Sequence, residues 1–178
     1  MNKNLQLVRE FHDTFSYQQA KQGSNVPLSE MDIIRRQALL MEKGSELLNA
    51  FTVGDMVDIL AGMIKLSYCA LGAIAIQGAD VWDRPVSWQH DGHVISLMRL
   101  FSDKINHCTS GSPEDYSAVY CLCAYLSRSF INADFDKAFQ MIHDSNLSQL
   151  SKGGKVCSEQ PEGIPKDKVA NLSDCLYE

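Results

Sequence analysis

No two of the six cysteines form a CxxC pair, and none of the spacings is that of a zinc site or a disulfide framework. Cys69, Cys108, Cys121, Cys123, Cys157 and Cys175 therefore read as free thiols of a reducing compartment. No run of like charges occurs, and the net charge is -6. That excludes the basic face a nucleic-acid binder needs. The opening MNKNLQLVREFHDTF has alternating charges and no apolar block, so it does not read as a signal peptide. A nucleophile elbow, a phosphate loop and a Cys-His catalytic pattern are all missing, and no segment reads convincingly as a strand. A cytoplasmic protein with neither nucleic acid nor membrane as partner is the expectation.

What is present is helical periodicity. Leu5, Val8, Phe11, His12 and Phe15 mark a first helix from about Lys3 to Tyr17. Ser29, with Asp32 three residues on, is a capping-box variant that opens a second helix running to about Phe51. Gly54 and Asp55 punctuate, and a third helix follows to about Gly78. Its Leu60–Ile76 stretch is nearly all apolar. It is slightly short for a span of about 20 residues, and Lys65 inside it would cost roughly 2.5–3.5 kcal/mol in lipid. A helix buried on all sides of a soluble bundle is the preferred reading.

Residues 79–92 form a loop that carries Trp82 and Trp88, which could stack on a base but more commonly anchor such a loop to the core. A fourth helix covers HVISLMRLFSDKINHC, and Pro113, Glu114 and Asp115 open a fifth that runs to about Ile131. A last helix starts at Asp134. From Leu147 onward Gly, Ser, Pro and Lys dominate, which suggests an extended tail. The whole is an all-α bundle built on antiparallel hairpins: one domain over residues 1–146, a tail over 147–178. Leu40, Leu47, Ile59, Leu60, Met63 and Ile64 should be buried. A third helix apolar on so many faces suggests a homo-oligomer.

The polar residues that invite a chemical reading lie between Leu39 and Asp80. Glu42 and Glu46 are one turn apart on the second helix, and Asp55 and Asp58 three apart at the start of the third. Facing helices could point all four into one groove, the usual way to hold Mg²⁺ against phosphates. The plain alternative is a solvated face neutralised by Lys43 and Lys65. His90, His93, Asp103 and His107 could be assembled into a transition-metal set, but nothing fixes their geometry, and a surface role is favoured.

Three blocks resemble the all-α nucleoside triphosphate pyrophosphohydrolases, the group of MazG-like and phosphoribosyl-ATP pyrophosphohydrolase-like proteins. LVREFHDTF looks like that group's first-helix EFH motif. Leu40 to Gly72 is similar to its acidic helix, Gly-Asp turn and helix ending in Tyr-x-x-x-Gly, here Tyr68 to Gly72. DFDKAFQMIHDSNLSQLSKGGK resembles the closing helix with His-x-Ser-Asn and a Gly-Lys turn. The stretch between Asp80 and Asn132 stands as an insertion.

The resemblance implies cleavage of a nucleoside triphosphate, or a related phosphorylated small molecule, to the monophosphate and pyrophosphate with Mg²⁺ or Mn²⁺. Glu42 and Glu46 would be catalytic, and they would hold metal with Asp58 and Asp55. Lys43, Lys65, His143, Asn146 and Lys152, with Lys155 as a further candidate, would meet the nucleotide. The match to the metal pattern is partial. Lys43 stands where the second of two adjacent Glu is expected. Aligned on Tyr68 and Gly72, Asp58 takes the Glu position, Ala61 the Asp position, and Lys65 a place where another acid is common. Aligned on the Gly-Asp turn, Asp55 and Asp58 are the pair. A lysine about 5 Å from Mg²⁺ is repelled by several kcal/mol even at an effective dielectric of ~20. Two outcomes follow: a hydrolase with a displaced metal, or an impaired relative serving as a nucleotide-binding or protein-interaction module. If the acids form one cleft, Lys43 should project away from it and Lys65 should approach it.

Overall fold

The computed structural model describes residues 1–148 and 171–177. Among them are six α-helices: α1 (Lys3–Thr14), α2 (Glu30–Val53), α3 (Met56–Gln77), α4 (Val94–His107), α5 (Pro113–Ser129) and α6 (Phe135–Leu147). No strand is formed by the described residues beyond a single antiparallel bridge between Ala133 and Leu176. The all-α expectation holds.

Local chemistry sets the ends. The Asn2 side chain accepts from the backbone N–H groups of Asn4 and Leu5, and Ser29 accepts from that of Asp32 at 3.1 Å. Asp55 and Asp134 cap α3 and α6 in the same way, each satisfying donors the first turn leaves free. Pro113 occupies the first turn of α5, where its missing N–H costs nothing. Gly54 (φ 80°) and Gly78 (φ 65°) close α2 and α3 in the left-handed conformation. α1 stops three residues short of Tyr17, because Ser16 turns to φ 57° and the Tyr17 N–H returns to the His12 carbonyl.

α3 is the axis. α1, α2, α5 and α6 all pack on it, while α4 closes over α2 and α5. Every residue from Ile59 to Ala75 except Lys65 is buried. Leu40, Leu47, Ile59, Leu60, Met63 and Ile64 are all 2% exposed or less, as the sequence predicts. One chain therefore covers α3 by itself, and the reason for expecting a second copy there falls away. The insertion does much of that covering: Leu97, Phe101, Ile105, Val119 and Leu122 belong to the same core.

α2 and α3 run antiparallel across the Gly54–Asp55 turn and pack closely at Gly62. A Cβ there would lie 3.2 Å from the Leu47 Cα. This proximity brings Glu46 opposite Lys65.

Two connections differ from the sequence reading. Residues 18–28 lie along the end of α3, where Ala20 N–H bonds the Ile76 carbonyl and Val26 N–H that of Gln77. Residues 171–177 are not part of an extended tail. They dock at the start of α6, with Leu172 and Cys175 buried, Asp134 N–H on the Cys175 carbonyl and Tyr177 N–H on that of Asn132. The five described cysteines are free thiols. Trp88 packs partly buried against Phe130, as a loop anchor should, whereas Trp82 is exposed.

Candidate functional site

Leu40, Lys43 and Leu47 share one stripe of α2, spaced i, i+3, i+7, and that stripe faces the core. Lys43 is thereby carried inward with its neighbours, and its side chain is only 7% exposed. This overturns the expectation that it projects away. Its Nζ lies 3.0 Å from Glu46 Oε1 and 3.3 Å from Glu42 Oε1, donating a hydrogen bond to each. Burial disfavours the ammonium, but the hydrogen bonds and charges of Glu46 and then Glu42 outweigh it and raise the Lys43 pKa above the ordinary lysine value. Lys65 approaches from α3, with Nζ 3.9 Å from Glu46 Oε2.

Both oxygens of Glu46 thus face ammonium groups, and the four side chains form a neutral cluster. Glu42 and Glu46 remain about half exposed.

The other acids do not join them. Asp55 Oδ1 accepts from the backbone N–H groups of Val57 and Asp58, so its carboxylate serves as a helix cap. Asp58 is exposed, and Ala61 offers no donor atom. Among the described residues no three side chains of His, Cys, Asp and Glu come together in a group that could hold a metal ion. The donor set therefore does not fit a Mg²⁺ or Mn²⁺ ion: the carboxylates of Glu42 and Glu46 already share a buried ammonium. The same holds for the histidine set. His107 pairs with Asp103 at 3.7 Å on an exposed face, and His90 accepts from the Gly92 N–H.

One turn beyond Lys65 on α3, Tyr68 belongs to a second cluster. Its hydroxyl is 3.0 Å from His143 Nδ1, and its ring stacks on Phe139 and meets Phe11 edge-on. His143 Nε2 lies 3.5 Å from Glu10 Oε2. The imidazole of α6 is thus hydrogen-bonded to α3 and lies beside Glu10 of α1, its Nε2 making no hydrogen bond among the described residues. Asn146, one turn on, is buried with its Oδ1 lacking a hydrogen bond. Lys152 and Lys155 lie outside the described residues. Glu10 and Tyr68 were not singled out as site residues in the sequence. The spacing Lys65–Tyr68 on α3 and the EFH block on α1 were the available signals.

Burial lowers the His143 pKa, against the opposing charges of Glu10 and Asp144. The imidazole is then neutral in the fold and takes up a proton more readily when unfolded. Its contribution is complete above the ordinary histidine value of about 6.5 and is lost as pH falls below it. Thermal unfolding measured from pH ~7 down to ~5 is expected to show falling stability, with a shallower slope in His143→Gln. Equal slopes would show that His143 does not couple to folding.

Residues 8–84 match the family model of phosphoribosyl-ATP pyrophosphohydrolase. That family is one of the MazG-like all-α nucleoside triphosphate pyrophosphohydrolases, and the likeness of residues 8–84 to it supports a pyrophosphohydrolase-type function on nucleotides. No curated protein and no solved structure gave a match.

Proposed function

We propose, starting from a chain whose residues 8–84 match a nucleotide pyrophosphohydrolase family model, that this protein binds a nucleoside triphosphate or related phosphorylated molecule without efficient magnesium-assisted cleavage. The observation that carries this is the buried Lys43 ammonium between the two carboxylates the chemistry would use. Lys65 reaches the rim of the cleft with its side chain 20% exposed, and it is the cation placed to meet phosphate oxygens. Glu42 and Glu46 orient both lysines. While each accepts from Lys43, one oxygen of each carboxylate is engaged by the ammonium. Asn146 and His143 would lie toward the other end of the ligand, His143 bonded to Tyr68, one turn beyond Lys65 on α3.

A second reading is favoured by the family match and by the half-exposure of Glu42 and Glu46. In it, substrate binding draws Lys43 away and one glutamate acts as general base, giving a working hydrolase. A screen over nucleoside triphosphates with Mg²⁺ and Mn²⁺, reading pyrophosphate release and binding on one panel, separates the two. Binding without release supports the first. Release that Glu46→Gln abolishes establishes the second.

We further propose a single domain built on residues 1–146, with residues 171–177 docked on it, and a cytoplasmic location. Homo-oligomer formation is proposed on Met31, Ile34, Met41, Val94 and Ile95, which stay exposed on α2 and α4, and sedimentation at micromolar concentration checks it.

A further inference from the structure

We infer that Lys43 is the resident cation of the α2–α3 cleft, an ammonium fixed to the chain that stands between Glu42 and Glu46 in place of a divalent ion and keeps the pair from binding one. The inference rests on the proposed reading of this cleft, but its test needs no nucleotide.

Three observations carry it. The ammonium has an anchored stem: Lys43 lies on the Leu40–Leu47 stripe and is 5% exposed, so moving Nζ to solvent would pull its methylenes out of packed surroundings. The contacts cover three of the four carboxylate oxygens. Lys43 reaches one oxygen of each carboxylate, and Lys65 faces the second oxygen of Glu46. A divalent ion arriving at the cleft therefore meets no net negative charge and two positive groups. Finally, the facing helix supplies nothing to compete with the lysine, since Ala61 has no donor and the Asp55 carboxylate is engaged as a cap. An incidental surface ion pair would show none of this burial and would be exchangeable with solvent.

Removing the charge should therefore create a site. Mn²⁺ binding to the full-length chain can be followed by electron paramagnetic resonance, with circular dichroism as the folding control. The wild type is expected to bind no Mn²⁺ through Glu42 and Glu46. Lys43→Glu, which frees both carboxylates and adds a third, should bind one ion roughly a hundredfold or more tighter than any residual binding by the wild type, given the size of the repulsion removed. Adding Glu46→Gln should abolish that gain. Where Lys43→Glu does not fold, Lys43→Met frees the same two carboxylates without a new buried charge and should shift affinity in the same direction by about tenfold.

A wild-type Mn²⁺ site that Glu42→Gln or Glu46→Gln removes would overturn the inference. So would a folded Lys43 variant with no gain. The nucleotide reading fails separately: if the wild type binds no nucleotide in the presence of a chelator, that reading is lost while the metal titration stands on its own.

Discussion

Replacing Gly78 by alanine is expected to destabilise the protein by about 3 kcal/mol, a fall in melting temperature of roughly 6–12 °C for a chain of this size. Two costs combine. The residue sits at φ 65°, where an L side chain is strained, and an added Cβ would lie 2.2 Å from the Lys21 carbonyl oxygen and 2.4 Å from Ser24 Oγ. The Lys21 oxygen is backbone, held by the bond from Gly23 N–H to the Gly78 carbonyl, so it cannot step aside cheaply. Gly54 supplies the internal control. It has φ 80° but nothing within 4 Å of its would-be Cβ, so Gly54→Ala should cost only about 1 kcal/mol. Equal losses at the two positions would show that the 18–28 connection is not packed on the end of α3.

The double substitution Glu42→Gln, Glu46→Gln should cost a similar amount, about 3 kcal/mol, because it strips a buried ammonium of both its carboxylates. Lys43→Met should cost less than about 1 kcal/mol, since the two acids it frees are half exposed and regain water. The asymmetry is diagnostic, because surface ion pairs give small losses from either side. Alkaline titration adds a sign. In wild type the raised Lys43 pKa contributes stability below the free-lysine value of about 10.4, and that contribution is lost as pH rises past it. In the double variant burial alone acts on the ammonium, so the same rise in pH should relieve a penalty instead. Denaturant titrations near neutrality and near pH ~10.5 measure both. A loss below about 1 kcal/mol in the glutamine variant would mean that Lys43 reaches solvent.

The helices were legible in the sequence because their signals are local. Ser29 with Asp32, Pro113, Gly54 and the apolar spacing of Leu40 and Leu47 each fix an end or a face within a turn or two. The orientation of Lys43 ran against the sequence reading, which sent it away from the acids: its spacing to Leu40 and Leu47 puts it on the buried stripe. Its charge argued for solvent, and the stripe won because Glu42 and Glu46 satisfy the ammonium on the way in. The separation of Asp55 and Asp58 from the glutamates was not legible. Spacing along α3 does not say that Asp55 will spend its carboxylate on its own helix start. Residues 171–177 were missed for a different reason. Leu172 and Cys175 are plugs in a seven-residue segment, too short to carry any periodicity, and their meeting with α6 joins positions about forty residues apart.

The docking of 171–177 bears on how far this architecture depends on chain order. Lys3 and Asn4 reach Asp136, while Cys175 and Tyr177 bond the backbone at Asp134 and Asn132. Both extremes of the described chain are gathered at the start of α6. A short linker joining them, with new ends opened at the exposed Gly54–Asp55 turn, would leave every helix its present neighbours. α2 and α3 would then be held against each other by side-chain packing, such as Leu47 on Gly62, and by the Glu46–Lys65 pair. In such a rearranged chain the cleft would no longer be enforced by the hairpin that covalently joins its walls, and its geometry would report directly on whether side-chain contacts are sufficient to build it.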